Sequence, residues 1–211
     1  LQGATDDPAA VQKFAGSLQR EANRLGHIVQ EIIELSRLQS ATYVADSGMV
    51  NLNEAIDDAI DRVQIAAEVK NMRVVSDTSE QVFVTGNYEQ LAIAITNLIE
   101  NAINYSDPNG QVGIALRKND STAEVVVTDS GVGIAIEDQA RIFERFYRVD
   151  PSRSRETGGT GLGLSMALED ARLHNGELEV YGELGKGANF VLTLPKQAGG
   201  EIPQRIIPLK F

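Results

Sequence analysis

Residues 129–164 read DSGVGIAIEDQARIFERFYRVDPSRSRETGGTGLGL. Asp129 closes the apolar, β-branched run 123–128, so its carboxylate stands at a strand end, with Gly131 and Gly133 directly after it. A carboxylate there can accept a hydrogen bond from an exocyclic ring amine, and the glycines let a ring approach the backbone. The same residues also suit a plain turn with positive φ. At the far end, Gly158-Gly159-Thr160-Gly161-Leu162-Gly163 opens a helix expected over 162–174. Glycine-rich helix starts hold anions through free N–H groups and the helix dipole. This one does not follow a strand and lacks the Gly-Lys-Ser/Thr of a P-loop, so neither familiar dinucleotide or P-loop fingerprint applies. Between the two lies a run, 138–160, with four acids and five basic residues, all arginine: Arg141, Arg145, Arg148, Arg153 and Arg155.

That run stands out against the rest of the chain. The 211 residues hold 30 acids and 19 bases, a net charge of −11. Such a balance opposes a basic nucleic-acid face, so no nucleic-acid partner is expected. No apolar run reaches the roughly 18–20 residues that span a bilayer, and no signal peptide is evident. The absence of cysteine excludes a disulfide scaffold, a thiolate nucleophile and a Cys-ligated zinc site. A hydrophobic content of 42% is enough to bury a core, and the length suits one or two domains. The chain begins at Leu1, and we read it as a piece of a longer protein.

Upstream, Val11, Ala15, Leu18, Ala22, Leu25, Val29, Ile32 and Ser36 alternate spacings of four and three, with Phe14, Ile28 and Leu35 on one flank. This heptad seam predicts one long helix over 9–40, about 45 Å at 1.5 Å per residue, which needs partner helices to bury its stripe. Residues 40–49 break the pattern as a boundary. An amphipathic helix is expected over 53–70, then short strands at 73–76 and 81–85. Hairpins are expected at 111–117 with 123–128 and at 177–181 with 189–194.

Helix 87–105 places Asn97, Asn101 and Asn104 on one face, with Leu91, Ile95, Leu98, Ile99 and Ala102 opposite. Asn is a poor helix former, so three in register want a reason. Carboxamides offer oxygen to a hard cation and N–H to a phosphate. A polar solvent face explains them equally well when the helix is taken alone.

An Asn helix, an Asp-x-Gly-x-Gly turn and a Gly-x-Gly helix start, in that order, resemble the ATPase superfamily of gyrase, Hsp90, histidine kinase and MutL proteins. The intervening Arg141-Ile142-Phe143-Glu144-Arg145-Phe146-Tyr147-Arg148 resembles the F box of sensor histidine kinases. The resemblance covers residues 9–195. It implies an α+β fold: a two-layer α/β sandwich of Bergerat type, a mixed sheet covered by helices, preceded by one long coiled-coil-like helix. It implies ATP and Mg²⁺ as cofactors. Asn97 and Asn101 match the N box, with Asn101 the metal ligand, and Tyr105 ends that box near the phosphates. Asp129 matches the adenine-binding acid, with Gly131 and Gly133 making room for the ring. Phe143 and Phe146 match the pair that anchors a mobile ATP lid running from Arg148 to Thr160. Gly159, Thr160, Gly161, Leu162 and Gly163 match the phosphate side. Where many members carry Lys or Arg, this chain has Asn104, so Arg145, Arg148 or a lid arginine is expected to supply the positive charge.

The resemblance also divides the chain: 1–41 as the second helix of a dimerisation and phosphotransfer hairpin, 42–50 as linker, 51–196 as the ATP-binding domain, 197–211 as a tail. It implies a homodimer through that hairpin, a response-regulator receiver domain as partner, and a cytoplasmic portion of a bacterial sensor that meets the membrane only through segments outside these residues. The family's acceptor His is followed by Glu or Asp and then Pro. Neither His27 nor His174 has that context. His27 reads as an exposed structural residue, and His174 as an imidazolium suited to a helix C-terminus. The acceptor is therefore expected elsewhere, and this fragment is expected to bind ATP without phosphorylating itself. Two alternatives stay open: a clamp ATPase of the same superfamily, such as a chaperone or repair protein, and a degenerate ATP-binding scaffold.

Overall fold

A computed structural model describes residues 8–38, 47–149, 159–197, 199–200 and 202. In chain order the elements are α1 (Pro8–Leu38), β1 (Gly48–Asn51), α2 (Leu52–Val69), β2 (Arg73–Asp77), β3 (Phe83–Gly86), α3 (Tyr88–Tyr105), β4 (Gln111–Lys118), β5 (Thr122–Asp129), the short α4 (Ile136–Gln139), α5 (Gly163–Leu173), β6 (Glu177–Gly182) and β7 (Ala188–Pro195).

Five strands form one mixed sheet in the order β2-β4-β5-β7-β6, and β1 pairs with β3 in a separate two-stranded ribbon. The β2–β4 pair is parallel and the other three pairs are antiparallel. Both expected hairpins form, with Val127 opposite Ile114 in one and Leu192 opposite Leu178 in the other. Helices α2, α3 and α5 pack side by side against this sheet, α3 in the middle. The result is the expected α+β sandwich.

The helices follow from their stripes and caps. In α2, Leu52, Ala55, Ile56, Ala59, Val63 and Ala67 are buried, and Asn51 accepts the Asn53 N–H at 3.1 Å to cap it. In α3, Asn87 accepts the Gln90 N–H at 3.1 Å, and Leu91, Ile95, Leu98, Ile99 and Ala102 all lie in the core. Each fully buried Leu or Ile contributes about 1.5–3 kcal/mol.

The structure departs from the sequence reading in three places. The expected linker 42–50 contains strand residues: Gly48, Met49 and Val50 pair with Gly86, Thr85 and Val84. A four-residue strand whose partner lies more than thirty residues away leaves no local periodicity to read. The strand expected at 81–85 begins only at Phe83, because Val82 donates its N–H to the Asn53 side chain and accepts from Leu52 N–H instead of pairing in a ladder. His174 is not an imidazolium. It is buried, and burial lowers its affinity for a proton below that of an ordinary imidazole. Its Nε2 accepts the Asn87 N–H at 2.9 Å, which requires the neutral ring.

Helix α1 forms over almost the expected span. Most of its stripe is solvent-exposed, with Val11, Phe14, Leu18, Leu25, Val29, Ile32 and Ile33 open. Near its C-terminal end Leu35 is buried against Leu162 and Met166, with Leu173 alongside. The His27 side chain, residues 150–158 of the expected lid and residues 203–211 of the expected tail fall outside the described residues.

Candidate functional site

A cavity of about 230 Å³ opens where β5 ends, β7 begins and the N-terminus of α5 faces α3. Asp129, the last residue of β5, is 7% exposed. Its Oδ1 accepts the Gly131 N–H at 2.8 Å and the Ala188 N–H at 3.2 Å. Burial nevertheless raises the affinity of this carboxyl for a proton, and the two backbone donors only partly offset that. With Oδ1 occupied, Oδ2 has no hydrogen-bond partner among the described residues and remains available to a ligand.

The glycines after Asp129 make room for protein backbone. A Cβ on Gly131 would overlap the Tyr105 carbonyl, and one on Gly133, where φ is +71°, would overlap the Glu183 carbonyl. These contacts seat the turn between the end of α3 and the β6–β7 turn. Gly133 also lines the cavity; Gly131 does not. Clearance for a ring, expected of both, is thus a role only Gly133 is placed to share.

On α3, Asn97, Asn101, Asn104 and Tyr105 all line the cavity, as does Glu100, which the sequence reading passed over. Asn97 Nδ2 is buried with no hydrogen-bond partner among the described residues. A buried amide donor left unpaired costs about 1–3 kcal/mol, a cost that an acceptor bound in the cavity would relieve.

On the opposite wall stand Gly159, Thr160, Gly161 and Gly163. Thr160 Oγ1 accepts the Leu162 N–H at 3.2 Å. A Cβ on Gly163 would come within 3.2 Å of Asn97 Oδ1, so glycine allows the two walls to close. Leu162 itself is fully buried and points into the small cluster with Leu35 and Met166 rather than into the cavity.

The arginine-rich piece is tied to the glycine loop by backbone. Phe146, at φ +62°, donates its N–H to the Gly161 carbonyl at 2.8 Å, and Gly161 itself sits at φ +78°. Phe143 packs against the core, while the Phe146 ring is 58% exposed. Neither lines the cavity; Ile142 and Tyr147 do. Tyr147 donates its hydroxyl to Asp138 Oδ1 at 2.6 Å, and the Arg141 guanidinium lies 4.3 Å from its ring centre. Arg148 reaches the cavity and Arg145 does not. Of the remaining lining residues, Leu184, Ala188 and Phe190 come from the β6–β7 hairpin. The sequence predicts that hairpin but assigns it no part in the site, yet Gly187 packs on the Asp129 carbonyl and Ala188 donates to its side chain. No sequence signal ties residue 187 to residue 129.

Residues 86–198 match the family described as histidine kinase-, DNA gyrase B- and HSP90-like ATPase. The chain belongs to this ATPase family. Within it the similarity is to sensor histidine kinases. The sensor-like histidine kinase SenX3 of Mycolicibacterium smegmatis is 42% identical over 197 residues, 93% of this chain and 51% of that protein. The solved structure of a mycobacterial sensor histidine kinase, MprB, superposes with a TM-score of 0.60 at 30% identity, covering 72% of this chain and 98% of that one. Histidine kinase ThkA, solved in complex with response regulator protein TrrA, shares the fold with a TM-score of 0.72 at 24% identity, over 92% of this chain and 54% of that one. The chain spans about half the length of the curated relatives it matches. In this ATPase family setting, the cavity is bounded by the three signals that the sequence carries in order: the Asn helix, the Asp-x-Gly-x-Gly turn and the glycine-rich helix start.

Proposed function

We propose that the chain is the ATP-binding catalytic portion of a sensor histidine kinase together with one helix of its dimerisation hairpin. The observation that carries this reading is the meeting, around one cavity, of a buried carboxylate acceptor on β5, carboxamides on α3 and the glycine-rich start of α5. Asp129 accepts the exocyclic amine of adenine. Tyr105 and the glycines at 159, 161 and 163 face the phosphates, with the N-terminal dipole of α5 behind them. Arg148 adds positive charge.

The donor set fits a magnesium nucleotide. Asn101 and Asn104 bring neutral oxygens, Glu100 a charged one, and the unpaired Asn97 Nδ2 a donor suited to a phosphate oxygen. Asn101 is the residue that would hold Mg²⁺. When bound, the ion supplies charge neutralisation on the phosphates.

In the whole protein the γ-phosphoryl group passes to an imidazole nitrogen: the bond to the β-phosphate oxygen breaks, ADP leaves, and the ring gives up its N–H proton. The work left to these residues is positioning and exclusion of water. His174 cannot be the acceptor, since both ring nitrogens are engaged in the interior. The acceptor lies on the other helix of the hairpin, in a dimer built on the exposed stripe of α1, and relays the phosphoryl group to a receiver-domain Asp. Among the described residues no helix is long and apolar enough to cross a membrane, and anchoring is assigned to other segments of a bacterial sensor.

Titration with Mg-ATP tests the site. Saturable binding is expected, weakened by Asp129→Asn, while Asn101→Asp chiefly changes the metal dependence. Unchanged binding in both variants would overturn the assignment. Phosphohistidine on the 211-residue chain incubated with ATP would overturn the placement of the acceptor elsewhere.

A further inference from the structure

His174 lies outside the cavity, at the C-terminal cap of α5, yet it ties together the two helices that form the cavity's walls. Its Nδ1 donates to the Asp170 carbonyl at 2.7 Å, and its Nε2 accepts the Asn87 N–H at 2.9 Å. Asn87 is the N-cap of α3. The end of α5 therefore meets the start of α3, and the start of α5 meets the middle of α3, where Gly163 faces Asn97. The helices run antiparallel and pack along their length, and these two contacts lie ten residues apart on α3 and eleven apart on α5, about 15 Å. Only the neutral Nδ1–H tautomer makes both hydrogen bonds. The seat is fitted to the ring: a Cβ on Gly86 would stand 2.5 Å from His174 Cδ2.

We propose that His174 is a positioning residue for nucleotide binding, the pin that sets the register of α5 on α3 and so holds the glycine-rich N-terminus of α5 beside Asn97. A shift of α5 along its own axis moves Gly161, Gly163 and Leu164 relative to the carboxamides of α3. The Asp129 end of the cavity, held by Gly131, Gly187 and Ala188, does not depend on that register. Loss of the pin thus weakens recognition of the phosphates and spares recognition of the base. This inference rests on the nucleotide reading given above.

The test compares Mg-ATP with adenosine on the full chain, by calorimetry and by chemical-shift titration. His174→Leu keeps the apolar bulk and removes both hydrogen bonds. It is expected to lower Mg-ATP affinity by about tenfold or more and adenosine affinity by less than about twofold. His174→Gln, which can still accept from Asn87 N–H, is expected to restore most of the Mg-ATP affinity. A residue that only stabilises the fold would lower both affinities alike, and that result, or no change in either, overturns the proposal. Should His174→Leu not fold, Gly86→Ala displaces the ring from Asn87 by contact and is expected to give the same ATP-selective loss; equal losses or none refute it there as well. Failure of the unaltered chain to bind either ligand would instead sink the nucleotide reading itself.

Discussion

Asp129 shows a site residue working against the stability of its own fold. Its carboxyl titrates above the ordinary 3.8 because burial disfavours the charge. A group whose folded pKa is raised contributes stability fully below the unfolded pKa, and that contribution is lost as pH rises through the folded value. Above its folded value the protein therefore holds a charge that it disfavours, and a ligand donor can satisfy it. Asp129→Asn keeps an oxygen for Gly131 and Ala188. It is expected to raise the melting temperature of the ligand-free chain at pH 7 while weakening Mg-ATP by about 1.5–3 kcal/mol; parallel thermal melts with and without nucleotide read both. His174 carries the opposite sign. Its folded pKa is lowered from 6.5, so its contribution is present above pH 6.5 and is lost as pH falls through the folded value. Urea midpoints should drop between pH 7.5 and 5, and by less in His174→Gln. The two residues were unequally legible. Asp129 announced itself by standing at a strand end before two glycines, whereas the state of His174 depends on Asn87, eighty-seven positions away.

At the scale of elements, α3 was readable almost to the residue, because an apolar stripe opposite a row of Asn can sit only one way against a core. The paired phenylalanines were less so. Phe143 packs on the core and Phe146 does not, although they stand three apart in one motif. Phe143→Ala is expected to cost on the order of 3 kcal/mol in urea unfolding. Phe146→Gly relieves a positive φ on an exposed side chain and is expected to leave stability within about 1 kcal/mol of the parent. Equal losses in the two would contradict this division of roles. Helix α1 leaves its seam open along most of its length. Sedimentation of the chain should show concentration-dependent association that Leu18→Ser with Leu25→Ser removes; association unaffected by those changes would place the contact elsewhere.

For the whole molecule, the net charge of −11 sets a background unfavourable to a triphosphate, and the arginines of 138–160 are the residues proposed to act against it. The structure separates two of them that sequence treated alike: Arg148 reaches the cavity and Arg145 does not. Arg148→Ala is expected to weaken Mg-ATP by severalfold and to reduce its dependence on salt, with Arg145→Ala near the parent in a titration at two ionic strengths. What the sequence alone determined is carried by local periodicity and chain order: the four long helices, both hairpins and the three motifs that bound the site, with the α+β class implied by the resemblance those motifs carry. Only tertiary structure decided the rest. Strand β1 needs β3 to exist, and the turn glycines clear space for distant carbonyls. His174 is neutral because the interior encloses it, and Asp129 is held by Ala188 on another strand. Each of these is fixed by a contact between residues far apart in the chain, and burial and hydrogen-bond pairing act through space, where sequence spacing carries no signal.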